Sequence, residues 1–157
     1  MDSRLYIHRA ENEIKLAGII FTISERPELQ IETFDIKDPE TYYSAVIARC
    51  YYSIFYAAKA YLARKGIKVT APEEHRKAFE GFKSFVDSGE LDVELLKIYQ
   101  EALVRAELLL GIFKEEKKKR GNFTYRTIPQ ANMEPAKESL DHAKTFFRHL
   151  FNVTKAV

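Results

Sequence analysis

Tyr43-Ser-Ala-Val-Ile-Ala-Arg49-Cys-Tyr-Tyr-Ser-Ile-Phe-Tyr-Ala-Ala-Lys-Ala60 is the stretch on which the fold turns. Its apolar residues Tyr43, Val46, Ile47, Cys50, Ile54, Ala57 and Ala58, continued by Tyr61, recur at three- and four-residue steps, the spacing of one helix face. No glycine or proline interrupts it. Upstream, Asp38-Pro39 predicts the helix start. The Asp38 carboxylate can accept unpaired N–H groups of the first turn, and Pro39 has no N–H to leave unpaired there. Downstream, Gly66 predicts the end.

The same period runs through most of the chain. Ile7, Ala10, Ile14, Ala17 and Phe21 predict a first helix, capped by Asp2 or Ser3 and ending near Ser24. Residues 25–38 break the period and predict an extended connection, with a short strand near residues 29–31 or 34–36. Thr70-Ala-Pro72-Glu73 has the form of a capping box and predicts the start of a shorter helix carrying Ala78, Phe79, Phe82 and Val86. Gly89 ends it. A long helix follows from about Asp92, with Leu95, Tyr99, Ala102, Leu103, Ala106, Leu109, Leu110 and Phe113 on its stripe. Run to about Lys119, it would span about 40 Å at 1.5 Å per residue. Residues 121–131 predict a loop, and Ala136, Leu140, Ala143, Phe147, Leu150 and Phe151 a last helix. The expected architecture is all-α: an up-and-down antiparallel bundle of four long helices plus one short helix, with residues 1–157 as a single domain.

Bulk composition agrees. The 157 residues are 46% apolar with only six Gly and five Pro, too few turn formers for a β-sandwich. Lys and Arg number 25 against 23 Asp and Glu, so net charge alone implies no nucleic-acid partner. The lone Cys50 excludes an intrachain disulfide and a cysteine-based zinc cage, and fits a reducing compartment. The first residues lack an apolar signal core, and no apolar run approaches the ~20 residues that span a bilayer. A soluble, cytoplasmic protein with no membrane association is therefore expected. In that setting the Asn122-Phe-Thr124 and Asn152-Val-Thr154 sequons carry no meaning.

Few residue groups could carry chemistry. Arg49 shares a helix face with Ala45, Tyr52, Ser53 and Tyr56. A guanidinium among tyrosines can fork onto phosphate oxygens while the rings stack on bases. It can equally be a structural arginine paired with an acid on a neighbouring helix, the commoner case. Lys117-Lys-Lys-Arg120-Gly-Asn-Phe-Thr-Tyr125-Arg126 ends the long helix with cations, which the helix dipole alone would favour, yet Phe123, Tyr125 and Arg126 interleave rings and charge as single-stranded nucleic-acid surfaces do. His142 and His149 stand two turns apart, too far to chelate one ion easily, so no metal is expected, nor any other cofactor. His75, just after the capping box, suits packing or capping better than catalysis. Cys50 on the apolar stripe reads as an inert core thiol.

Taken in order, these features resemble the HEPN domains, specifically the small prokaryotic group with an Arg-x-Tyr-Tyr-Ala-x-Phe second helix. The matching residues are Arg49-Cys-Tyr51-Tyr52-Ser-Ile-Phe55, then Gly66, Pro72-Glu-Glu-His75, a phenylalanine (Phe79 or Phe82), and Arg120-Gly-Asn-Phe-Thr-Tyr125. The resemblance implies an up-and-down helical bundle and a homodimer. It also implies the toxin half of a toxin–antitoxin pair, whose partner is a minimal nucleotidyltransferase. Catalytic members of the family are metal-independent ribonucleases with an Arg-x(4-6)-His motif. Here Tyr125 stands five residues after Arg120 and no histidine follows within reach. A phenol titrating near 10 is a poor general base at neutral pH. The resemblance therefore implies a nucleotide- or RNA-binding protein, catalytically weak or inactive, with Arg49, Tyr52, Arg120, Tyr125 and Arg126 as ligand-binding residues. The alternatives are a ribonuclease toxin and a purely structural dimerisation or interaction module.

The chain has four Asn and three Gln against 31% charged residues, a composition that leans towards heat adaptation. A calorimetric scan is expected to place unfolding above the ~45–65 °C typical of mesophile domains. A midpoint inside that range would remove the inference.

Overall fold

A computed structural model describes residues 2–110 and 133–156. Six helices account for the regular structure among them: α1 (Ser3–Glu25), α2 (Pro27–Phe34), α3 (Tyr43–Arg64), α4 (Glu74–Asp87), α5 (Val93–Leu110) and α6 (Met133–Ala156). No strand occurs among the described residues. The expected extension of α5 to Lys119 and the loop at 121–131 lie outside them. None of the described helices is long and apolar enough to cross a membrane.

The decisive stretch forms the central element. Fifteen of the 22 residues of α3 are buried, more than one apolar stripe can supply, so the helix is covered nearly all round. It packs against α1, α4, α5 and α6. Small residues bring α1 and α3 close: Ala10, Ala17, Ala57 and Ala58 are fully buried. The Ser53 hydroxyl reaches across to donate to the Ala10 carbonyl at 2.8 Å. From Glu25–Tyr43 through Glu13–Arg49 and Ala10–Ser53 to Arg9–Tyr56, contacts descend α1 as they climb α3, so these two run in opposite directions. Phe82 of α4, Tyr99 of α5 and Phe146 of α6 close the other side, with ring centroids 5.3–5.8 Å apart.

Three sequence expectations are corrected. Residues 27–34 are helical, neither extended nor a strand, so the bundle has two shorter helices (8 and 14 residues) rather than one. Pro27 opens α2, and Asp35 ends it in the left-handed region at φ 55°. The apolar period misses this helix because its buried residue is Gln30, while Ile31 and Phe34 face outward. Second, α3 starts at Tyr43, not at Asp38-Pro39. The Glu40 N–H donates to Gln30 Oε1 at 2.9 Å and the Tyr42 N–H to Ser24 Oγ at 2.8 Å, which pins residues 40–42 to the α1–α2 corner. Third, the Thr70–Glu73 capping box does not form. Glu73 precedes α4 with φ 57°, and no side chain caps the helix. Two expected helix starts hold: Asp2 Oδ1 accepts from Leu5 N at 3.1 Å, and Asp92 Oδ1 from Glu94 N at 2.9 Å.

Gln30 is fully buried and makes three hydrogen bonds, to Ile23 O, Glu40 O and Glu40 N. Gln30→Ala strips partners from three part-buried backbone groups, each hydrogen bond worth about 0.5–1.5 kcal/mol. Urea unfolding should show a loss of about 2–3 kcal/mol through a lower midpoint at unchanged slope. A loss within error of zero would mean that water replaces the clamp.

Candidate functional site

Arg49 projects from the flank of α3 that meets α1. Its Nη1 lies 3.1 Å from Glu13 Oε2 and donates to Oε1 at 3.3 Å. Its Cζ lies 4.9 Å from the Tyr52 ring centroid, a cation–π contact one helical step away. Both partners of the ion pair are partly buried, Arg49 with 31% and Glu13 with 19% of the side chain exposed. Burial raises the Glu13 carboxyl above its ordinary 4.5, against the pull of Arg49 and Arg9. The arginine thus has the partner on a neighbouring helix that a structural role requires. Glu13 engages Nη1 alone, and no second acid contacts Arg49 among the described residues.

The surroundings are richer than the sequence suggested. Arg9 of α1 lies over the Tyr56 ring with Cζ 5.5 Å from the centroid, and its Nη1 donates to the Tyr56 hydroxyl at 3.3 Å. Lys59 of α3 places Nζ 4.6 Å from the Tyr6 ring and 5.2 Å from Phe55, and pairs with Glu74 at the start of α4. Tyr52 and Tyr56 lie 6.4 Å apart, and Tyr6 stacks on Tyr56 at 6.3 Å. Three cations and two carboxylates therefore interleave with a continuous run of rings along the α1–α3 face. Arg49 and Tyr52 were visible in the sequence. Arg9, Tyr6 and Lys59 were not, because nothing in local spacing says which residues of α1 and α3 come side by side.

His75 joins the same run. Its ring stacks on Phe55 at 4.3 Å and lies 6.1 Å from Tyr52. Nδ1 is 2.7 Å from the hydroxyl of the fully buried Tyr51. Burial raises the Tyr51 phenol far above its ordinary 10, so it keeps its proton beside the imidazole. The expectation that His75 packs rather than catalyses agrees with this geometry.

Arg120, Tyr125 and Arg126 lie outside the described residues. Cys50 is buried and its thiol is pushed up to about 12 by that burial, which leaves it inert as expected. His142 has neighbours that the spacing to His149 could not reveal. Its Nδ1 lies 3.6 Å from Glu101 and 4.0 Å from Glu138, and the three groups could each offer an atom to one cation. Arg105 already occupies Glu138 at 2.8 Å and holds that carboxyl below its ordinary 4.5.

Burial also lowers the His75 pKa below 6.5, with Glu74 opposing and Lys59 reinforcing. The folded state favours the neutral ring, while the unfolded chain titrates at about 6.5. The resulting stability is complete above that pH and is lost as pH falls through the lowered folded value. Urea unfolding at about pH 7.5 and about pH 5 should therefore show a smaller acid loss in His75→Gln than in the parent. Equal losses would place the acid sensitivity elsewhere.

No family model matches the chain, and no solved structure does. A protein of Methanocaldococcus jannaschii named “Putative toxin MJ0142” is 35% identical to it over 91 residues, 57% of this chain. The match covers 60% of that protein's length.

Proposed function

We propose that the chain is a HEPN-like, toxin-related protein that binds nucleotide or RNA on the α1–α3 face around Arg49 and Tyr52. The observation that carries this reading is the alternation there of Arg9 and Arg49 with the part-exposed rings of Tyr6, Tyr52 and Tyr56, while Lys59 and Phe55 are themselves buried. Cations that track a phosphate backbone beside rings that stack on bases make up a sequence-tolerant single-strand surface. The similarity to a protein named as a toxin supports the toxin-like part. Under this reading residues 1–157 form one domain, an up-and-down antiparallel bundle. Arg120, Tyr125 and Arg126 complete the ligand contacts, and a homodimer and a minimal nucleotidyltransferase are the partners. Binding is favoured over cleavage, because Tyr125 replaces the motif histidine and the Nδ1 of His75 is engaged by Tyr51.

One observation favours the interaction-module reading. Leu5, Leu16 and Ile19 are exposed along α1, and Ile31 and Phe34 along α2, apolar surface that the bundle leaves uncovered.

Fluorescence anisotropy with a labelled single-stranded RNA separates the two. Binding should weaken with added salt, and Arg49→Ala and Tyr52→Ala should each weaken it roughly tenfold or more, the worth of one phosphate contact or one stacked base. Unchanged affinity in both variants, with circular dichroism showing intact helices, would sink the binding reading.

A further inference from the structure

The surface shared by α5 and α6 brings a histidine and two glutamates together. Glu138 and His142 stand one helical turn apart on α6, so their side chains share a face. Glu101 meets them from α5. His142 Nδ1 lies 3.6 Å from a Glu101 oxygen and 4.0 Å from a Glu138 oxygen, and the three potential ligand atoms lie within 4.8 Å of one another. Those separations are too long for hydrogen bonds between the ring and either carboxylate. They lie close to the ~3.3–3.6 Å edge of a tetrahedron drawn around an ion with bonds of about 2.0–2.2 Å. Both glutamates are half exposed, so small side-chain rotations close the remaining gap.

The neighbouring cations leave Glu101 open. Lys97 and Arg105 stand one turn to either side of it on α5, where either could pair with it. Lys97 binds Glu94 instead, and Arg105 binds Glu138 and the Ser139 hydroxyl. Among the described residues, no lysine or arginine pairs with the Glu101 carboxylate. Arg105 holds one oxygen of Glu138 at 2.8 Å, the kind of outer contact that orients a ligating carboxylate. An open hollow of about 460 Å³ against Gln100, Glu101 and Arg105 gives water and ions direct access.

We propose that Glu101, Glu138 and His142 bind a late first-row divalent cation of the Zn²⁺ class, which ties α5 to α6. The donor set selects the metal. One imidazole nitrogen with two carboxylates suits Zn²⁺, whereas Mg²⁺ and Ca²⁺ take oxygen ligands. Three protein ligands leave the fourth position to water. The two carboxylates balance the charge of the ion, and Arg105 adds a further positive charge beside it, which keeps the affinity moderate. The site shares no residue with the α1–α3 face and does not rest on the RNA-binding reading.

Isothermal titration of the full chain with Zn²⁺ alone tests the proposal. Zn²⁺ should bind saturably, and Mg²⁺ in large excess should not displace it. His142→Ala and Glu101→Gln should each weaken binding roughly tenfold or more, at least the loss that follows removal of an outer contact to a metal ligand. Both variants should keep the helical circular-dichroism signal, because neither side chain lies in the core. Excess Zn²⁺ should raise the melting temperature of the parent and not that of His142→Ala. His149→Ala should bind Zn²⁺ like the parent. The proposal is overturned if Zn²⁺ does not bind saturably, if Mg²⁺ competes with it on equal terms, or if either His142→Ala or Glu101→Gln binds like the parent. Binding that survives His142→Ala, or is lost in His149→Ala, is an adventitious ion only, held by the exposed His8 or His149, and overturns it equally.

Discussion

Everything in this molecule depends on how closely α1 can approach α3. The two backbones are near enough for a serine hydroxyl on one to reach a main-chain carbonyl on the other. That distance exists because alanines occupy the contact positions on both helices. Larger residues there would push α1 outward and force off-rotamer packing. They would also draw Glu13 away from Arg49 and Arg9 away from Tyr56. The same few ångströms thus set the core and assemble the charged, ring-lined face.

The approach has an electrostatic cost, visible at Glu13. Burial alone would drive its proton on, and Arg49 and Arg9 pull the other way without prevailing. A half-buried ion pair of this kind returns little stability, because the desolvation of both ions offsets their attraction. Its persistence in a well-packed interface is better explained by positioning, since Glu13 fixes one edge of the guanidinium while Tyr52 supports its face.

The sequence made the long helices legible because their buried positions are apolar and recur with the helical period. All eight stripe residues of α3 from Tyr43 to Tyr61 are buried. It hid α2 because a glutamine takes the inward position, and polar burial leaves no mark in hydropathy. It misplaced the start of α3 because a good local cap at Asp38 lost to tertiary bonds from Gln30 and Ser24. At the candidate site, Arg49 and Tyr52 could be read from one helix. Arg9, Lys59 with Glu74, and Tyr51 with His75 are relations between helices, which no single-helix period encodes. Thr154 looked like part of an idle sequon and is instead a buried hydroxyl.

The rings of the α1–α3 face are not bare. Arg49 lies over Tyr52, Arg9 over Tyr56, and Lys59 over Tyr6. A π face that already holds a cation cannot accept a nucleobase on that side until the cation swings away. On the proposed binding reading, engagement is an exchange: the guanidinium leaves a ring for a phosphate, and the ring it leaves receives a base. On that reading the protein's own side chains act as placeholders that keep the surface assembled until that trade is made, and each displaced contact subtracts from the affinity the new one brings.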